Sequence, residues 1–209
     1  MNRYFESRKR GEAAEKAFQE VAEKQGARFE KSTERDDIHK HIDCFVTWTD
    51  KEGQTKHRWG IDVKAAKSIS RGEAAQDSLT WLEYQNVGGK DGWMKGHADF
   101  IAFERADDFV LLHRPSLLAH IEAEIPLDEL HNPLDMPPSA KRDQMVAYRR
   151  RAYDRQDTII LVNLTKLVYE MMMGAIEGAE PVKMPSVSSK KTAIIWPKAT
   201  NRNPFGKAS

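Results

Sequence analysis

Two short stretches, HIDCFV at residues 41–46 and GIDVKA at 60–65, hold the side chains with the most chemical content: Asp43 in the first, Asp62 and Lys64 in the second. Ile42, Cys44, Val46 and Trp48 alternate with His41, Asp43, Phe45 and Thr47, and Ile61, Val63 and Ala65 alternate with Gly60, Asp62 and Lys64. A period of two predicts two strands. Asp50-Lys51-Glu52-Gly53-Gln54 supplies turn chemistry between them, so the two runs form a hairpin. With the turn centred between Glu52 and Gly53, Asp43 stands opposite Asp62 and His41 opposite Lys64, while the apolar set shares the other face. Carboxylates opposed on antiparallel strands have Cβ atoms about 5 Å apart and repel, at a cost in stability unless a cation lies between them. A hard divalent ion such as Mg²⁺ takes one or two carboxylates, keeps several waters and leaves positions for phosphate oxygens. Lys64 projects from the same side as Asp62, where an ammonium can hold a nucleophilic water or stabilise charge on a pentavalent phosphorus. The pattern suits phosphoryl chemistry. A surface ion-pair cluster of the same residues is the plainer alternative.

The surrounding elements follow from periodicity and punctuation. Residues 7–25 place Ala14, Ala17, Phe18, Val21 and Ala22 at helical spacing, with Gly26 as terminator. A short strand is expected at 27–30, then a charged loop leading to the hairpin. Further strands are predicted at 80–87, before the turn-rich Gly88–Gly92 segment, and at 98–103 and 109–113 as a second hairpin. Pro115 marks a helix start with Leu117, Leu118 and Ile121 as its apolar stripe; a proline-rich loop covers 132–140, a β-branched strand 158–162 and a helix 164–176, with Leu167, Val168 and Met171 on one side. This order argues for an α/β (α+β) domain, a mixed sheet covered by helices, over residues 1–180. Residues 181–209 carry Lys183, Lys190, Lys191, Lys198, Arg202 and Lys207 among prolines and read as an extended basic tail.

A Glu-bearing helix, an Asp-bearing strand and a strand with (Asp or Glu)-x-Lys follow one another here, and in this the sequence resembles the PD-(D/E)XK nuclease superfamily. Gly11, Ala14 and Glu15 are similar to the Gly-x-x-Ala-Glu of the first helix in archaeal-type Holliday junction resolvases; Asp43 and Asp62-Val63-Lys64 supply the later motifs. Asp62 stands where many relatives carry Glu, and the linker between Asp43 and Asp62 is longer than in compact resolvases. The resemblance implies a restriction-endonuclease-like core and Mg²⁺- or Mn²⁺-dependent hydrolysis of a DNA phosphodiester. It implies Asp43, Asp62 and the Val63 carbonyl as metal ligands, Lys64 to position the attacking water, and Glu15 to complete the metal shell directly or through water. Glu12, one turn earlier, is the rival for that role.

A second cluster lies in Trp81-Leu82-Glu83-Tyr84-Gln85-Asn86, where alternation puts Glu83 and Gln85 on one side. If this strand joins the hairpin, Glu83 is a further metal-site candidate and Gln85 a further catalytic one. A different assignment, with Asp62 as first acid and Glu83-x-Gln85 as second motif, leaves the opposed carboxylates unused and ranks lower. Trp81, Tyr84 and Trp93 are candidates for base stacking, with sheet packing the more common role. His39, His41 and His57 lack a regular zinc ligand set. Met171, Met172 and Met173 are divided between core and an oligomer interface.

Composition sets the frame. The chain has 209 residues, 40% hydrophobic and 31% charged, which excludes wholesale disorder. No apolar run reaches the ~18–20 residues of a bilayer span, the start lacks a signal-peptide core, and the single Cys44 has no disulfide partner; an intracellular (cytoplasmic) setting without membrane contact is expected. Net charge is +1, from 33 basic and 32 acidic residues, so bulk charge does not announce a polyanion partner. Local concentrations do occur, at Arg3, Arg8, Lys9 and Arg10, and at Lys141, Arg142, Arg149, Arg150, Arg151 and Arg155. The expectation is a metal-dependent DNA endonuclease of recombination, repair or processing, with DNA as partner and a homodimer favoured if it makes two cuts on a symmetric substrate. The alternatives are a non-catalytic DNA-binding or assembly module of the same fold and an RNA-directed nuclease.

Overall fold

The computed structural model describes residues 3–49, 55–66, 77–125, 127, 146–149, 157–173 and 193–197. The chain is mixed α/β. Helix α1 (Arg3–Lys24) turns Ala14, Phe18, Val21 and Ala22 inward and ends before Gly26, whose φ of 80° is a left-handed value that glycine adopts without strain. Strand β1 (Arg28–Lys31) follows. The stretch expected as a charged loop is instead helix α2 (Glu34–Lys40), which buries none of its residues. Its ends hold it: the Asp36 amide donates to Thr33 Oγ1 at 3.2 Å, and Glu34, Asp36 and Asp37 lie in the first turn, where the helix dipole favours negative charge. A helix with no apolar stripe leaves no periodic trace in the sequence, which is why the spacing did not show it.

Strands β2 (Cys44–Thr49) and β3 (Thr55–Lys64) pair antiparallel as expected: Cys44 faces Ile61, Val46 faces Trp59 and Trp48 faces His57, with an irregularity between Trp48 and Thr49. The turn at 50–54 lies outside the described residues. Strand β4 (Leu79–Gln85) leads through a 3-10 turn (Trp93–Lys95) to β5 (Phe100–Glu104) and β6 (Asp108–His113), which form the second hairpin. Helix α3 (Arg114–Glu124) starts at Pro115 as read, and β7 (Val146–Arg149), β8 (Thr158–Asn163) and α4 (Leu164–Met173) follow. The proline-rich 132–140 and the basic run from 141 to 155, apart from 146–149, lie outside the described residues.

Two sheets result. The larger has the order β1-β2-β3-β5-β6-β9; β3 and β5 are parallel and every other pair antiparallel. Its last strand, β9 (Ala193–Pro197), comes from the stretch expected as an extended tail, so the boundary at residue 180 does not hold for this segment; the rest of 181–209 lies outside the described residues. The smaller sheet is β4-β8-β7, antiparallel throughout. The condition that β4 joins the hairpin is not met: it pairs with β8.

The larger sheet is covered along one face by α1 and, over β5 and β6, by a second layer on the other. On one face α1 packs through Phe18 against Cys44, Ile61, Val63, Phe100 and Phe109. On the other, Ile101, Phe103, Val110 and Leu112 meet Leu82, Met94, Leu117, Ile160 and Met171 from the small sheet, the 3-10 turn, α3 and α4. At roughly 1.5–3 kcal/mol for each large apolar side chain removed from water, these two layers hold β3 and β5 as the rigid centre. No helix among the described residues is long and apolar enough to cross a membrane.

Candidate functional site

Strand alternation sends Ile61 and Val63 into the core under α1 and leaves Asp62 and Lys64 on the opposite face of β3, beside Ile101 and Phe103 of β5. Asp43 arrives from α2. His41 caps that helix in a left-handed conformation, φ 54°, which turns the chain so that Ile42 is buried and Asp43 enters the edge of the hairpin one residue before β2. The Asp43 amide donates to the Ile61 carbonyl at 2.9 Å, and its Oδ2 accepts the Val63 amide at 2.6 Å. Asp43 therefore meets Asp62 as the register required, close enough for the charge of Asp62 to raise the Asp43 carboxyl.

Asp62 is only 1% exposed, and its Oδ1 lies 2.5 Å from the Lys64 ammonium. Its Oδ2 is buried without a hydrogen-bond partner. Burial, and then the charge of Asp62, push the Asp43 carboxyl up to about 7. Burial raises Asp62 as well, with Lys64 opposing it. For Lys64, burial disfavours the ammonium, yet Asp62 and Asp43 outweigh it and the group is raised. The three form one coupled set in which the lysine carries the positive charge between two acids.

Three further groups bear on this set. Glu15 is raised by burial and then by the charge of Asp43, while Lys31 Nζ, 3.2 Å from its Oε2, draws it down. Glu12 instead pairs with Arg8 at 2.8 Å on the exposed side of α1, so Glu15 is the helix carboxylate that feels the charge of Asp43. Glu83 contributes to the raised value of Lys64 although it stands on the other sheet. Trp93 lays its ring under the Lys64 ammonium, 4.9 Å from Nζ, and packs edge-on against Phe103. Gly92 makes this approach possible, since a Cβ there would lie 2.3 Å from the Glu83 carbonyl oxygen.

Gln85 lies opposite β8 rather than β3. The strand is irregular between Glu83 and Gln85, which pair with Ile159 and Thr158, consecutive residues of β8 that project to opposite faces. The shared side for Glu83 and Gln85 is lost, and Gln85 Oε1 accepts from Thr158 Oγ1 at 2.9 Å. His41 is half-buried and lowered by burial and then by Lys64, whereas His39 is exposed and His57 stacks on Trp59. Trp93 is core, Trp81 is partly buried, Tyr84 donates to Glu122 and carries Lys95 over its ring, and Met171 is buried. The side chains of Met172 and Met173 lie outside the described residues.

The donor set available to a metal consists of Asp43, Asp62 and the Val63 carbonyl. The Val63 N–H points at Asp43, and in an extended strand the C=O of the same residue points to the same edge. Among the described residues no three His, Cys, Asp or Glu side chains enclose an ion by themselves. Two carboxylates, one of them with a buried unpartnered oxygen, fit a hard divalent ion that retains most of its water. Lys31 on Glu15 and the Trp93 ring on Lys64 were not read from the sequence as partners; neither contact follows from spacing along the chain. Comparison with known proteins yields no match, neither to a family model, nor to a curated protein, nor to a solved structure.

Proposed function

We propose that the chain is a metal-dependent nuclease that hydrolyses DNA phosphodiester bonds, built on a restriction-endonuclease-like core. The observation that carries this reading is the meeting of Asp43 and Asp62, with Asp62 Oδ2 buried and unpartnered and Lys64 against Oδ1. Two buried like charges are costly, and the arrangement becomes favourable once a cation sits between them. The α1–sheet–small-sheet layering and the order Glu15, Asp43, Asp62, Lys64 support it further.

Asp43, Asp62 and the Val63 carbonyl would hold Mg²⁺ or Mn²⁺, with Glu15 reached through water. When bound, such an ion supplies Lewis-acid stabilisation of the phosphate oxygens. Lys64, beside Asp62 and over the Trp93 face, would orient the attacking water and offset negative charge at phosphorus. Glu83 balances the ammonium from the other sheet. The test is a cleavage panel of linear, circular, single-stranded and four-way DNA, beside matched RNA, with Mg²⁺. Asp43→Ala and Asp62→Ala should abolish cleavage and Lys64→Ala should reduce it by two orders of magnitude or more; retained cleavage in both aspartate variants would defeat the assignment.

One observation favours a second reading, a DNA-binding or assembly module that does not cut: the Lys64 ammonium already neutralises Asp62 without a metal. Calorimetry with Mg²⁺ or Mn²⁺ separates the two, because the module has no ion site at the hairpin.

A further inference from the structure

The layer that covers one face of the larger sheet reaches β5 and β6; on the same face Gly60 and Asp62 further along β3 are buried, while Arg28, Glu30, Phe45, Thr47 and Arg58, on β1, β2 and the start of β3, are exposed or half-exposed. These residues alternate onto the side that carries Asp62 and Lys64. Within them Arg58 is held in an unusual way. Its guanidinium carbon lies 3.5 Å from the centroid of the Phe45 ring, a stacking distance, and Nη2 bonds Glu30 at 3.1 Å along one edge. Ring below and carboxylate beside fix the guanidinium, while 45% of the side chain stays open to solvent. Because Glu30 already engages an edge donor, the group is less suited to gripping a phosphate than to offering its flat face. A base stacks on such a plane only where it is not already covered by neighbouring pairs, which selects unpaired nucleic acid.

We propose that this exposed part of the face binds a single-stranded stretch of nucleic acid, with the Arg58–Phe45 pair as a plate for one base. Arg58 and Asp62 project from the same side of β3 about 13 Å apart at the rise of a strand, so the stacked base lies a few nucleotides from the bond at Asp62. The inference rests on the nuclease reading and adds a substrate class to it: strands with an unpaired segment beside the cut.

The test is fluorescence anisotropy in EDTA with a labelled DNA single strand, its duplex, and an abasic strand of equal length. Wild type should bind the single strand more tightly than the duplex. Arg58→Lys, which keeps the charge and loses the plane, should weaken single-strand binding about tenfold and change the abasic strand little. Arg58→Ala should weaken it at least as far, and thermal melts of both variants should match wild type because the side chain is exposed. Equal weakening on all three ligands would make Arg58 a phosphate contact and overturn the plate, as would unchanged single-strand binding. Cleavage with Mg²⁺ is measured in parallel: if it persists while Arg58→Lys alters no affinity, the plate alone falls, and if neither binding nor cleavage occurs, the nuclease reading falls with it.

Discussion

Replacing Asp43 with asparagine should make the metal-free protein more stable, not less, and only at the higher end of the pH range. The carboxyl sits at about 7 in the fold against 3.8 ordinarily, so the folded chain holds this proton more tightly than the unfolded chain does. Stability is then fully present below 3.8 and is lost as pH rises through about 7, by at most about 4 kcal/mol from a shift of roughly three units at 1.36 kcal/mol each. Lys64 and entering water reduce that ceiling. Asparagine cannot ionise, yet its Oδ1 can still accept the Val63 amide that Asp43 Oδ2 accepts at 2.6 Å. In guanidinium titrations with EDTA, Asp43→Asn should match wild type at pH 4 and exceed it at pH 8 by about 2–4 kcal/mol, on the order of 10 °C in Tm. Adding Mg²⁺ at about 100 times its Kd should raise wild type by about 2.7 kcal/mol at pH 8 and the variant far less. A variant that is less stable at pH 8, or displaced equally at both pH values, would refute the account of two repelling acids.

Lys64→Met leaves Asp62 buried without its cation and should cost about 3 kcal/mol at pH 8, with part recovered at pH 4 where the acids protonate, measured by urea denaturation. Gly92→Ala forces its Cβ against the Glu83 carbonyl and should lower stability by about 2 kcal/mol, with cleavage falling as Trp93 and Glu83 move from Lys64. Glu15→Gln should raise the Mg²⁺ concentration needed for half-maximal cleavage while Glu12→Gln leaves it unchanged, read from metal titrations of rate. Truncation at residue 180 removes β9 and bares the β6 edge, so it should shift the denaturation midpoint and promote association on size-exclusion chromatography.

The hairpin was legible because two strong signals agree in it: a strict period of two and a turn whose centre sets the register, so the pairing of Cys44 with Ile61 follows from the chain alone. Glu15 was separable from Glu12 in principle, since it follows Ala14 and precedes Phe18 by three on the buried side of α1, whereas Glu12 lies on the side that meets Arg8. What stayed hidden depends on partners distant in sequence. β4 is a good strand by composition, but nothing local says that β8 rather than β3 will take its hydrogen bonds. The irregularity at Tyr84 that separates Glu83 from Gln85 has no residue signature of its own. α2 is held by end effects, and the five residues of β9 sit inside a proline-punctuated basic stretch whose composition speaks louder than the run AIIWP.

The lone cysteine acquires a use from where it lies. Cys44 is 1% exposed beneath α1, next in the chain to Asp43, and burial followed by the charges of Asp43 and Glu15 keeps its thiol protonated. It is inert to alkylating reagents until the β1–β2–β3 layer lifts from α1, so the modification rate clocks that opening directly. Because the chain has one cysteine, the clock needs no engineering, and any ligand that pins Asp43 to Asp62 will slow it.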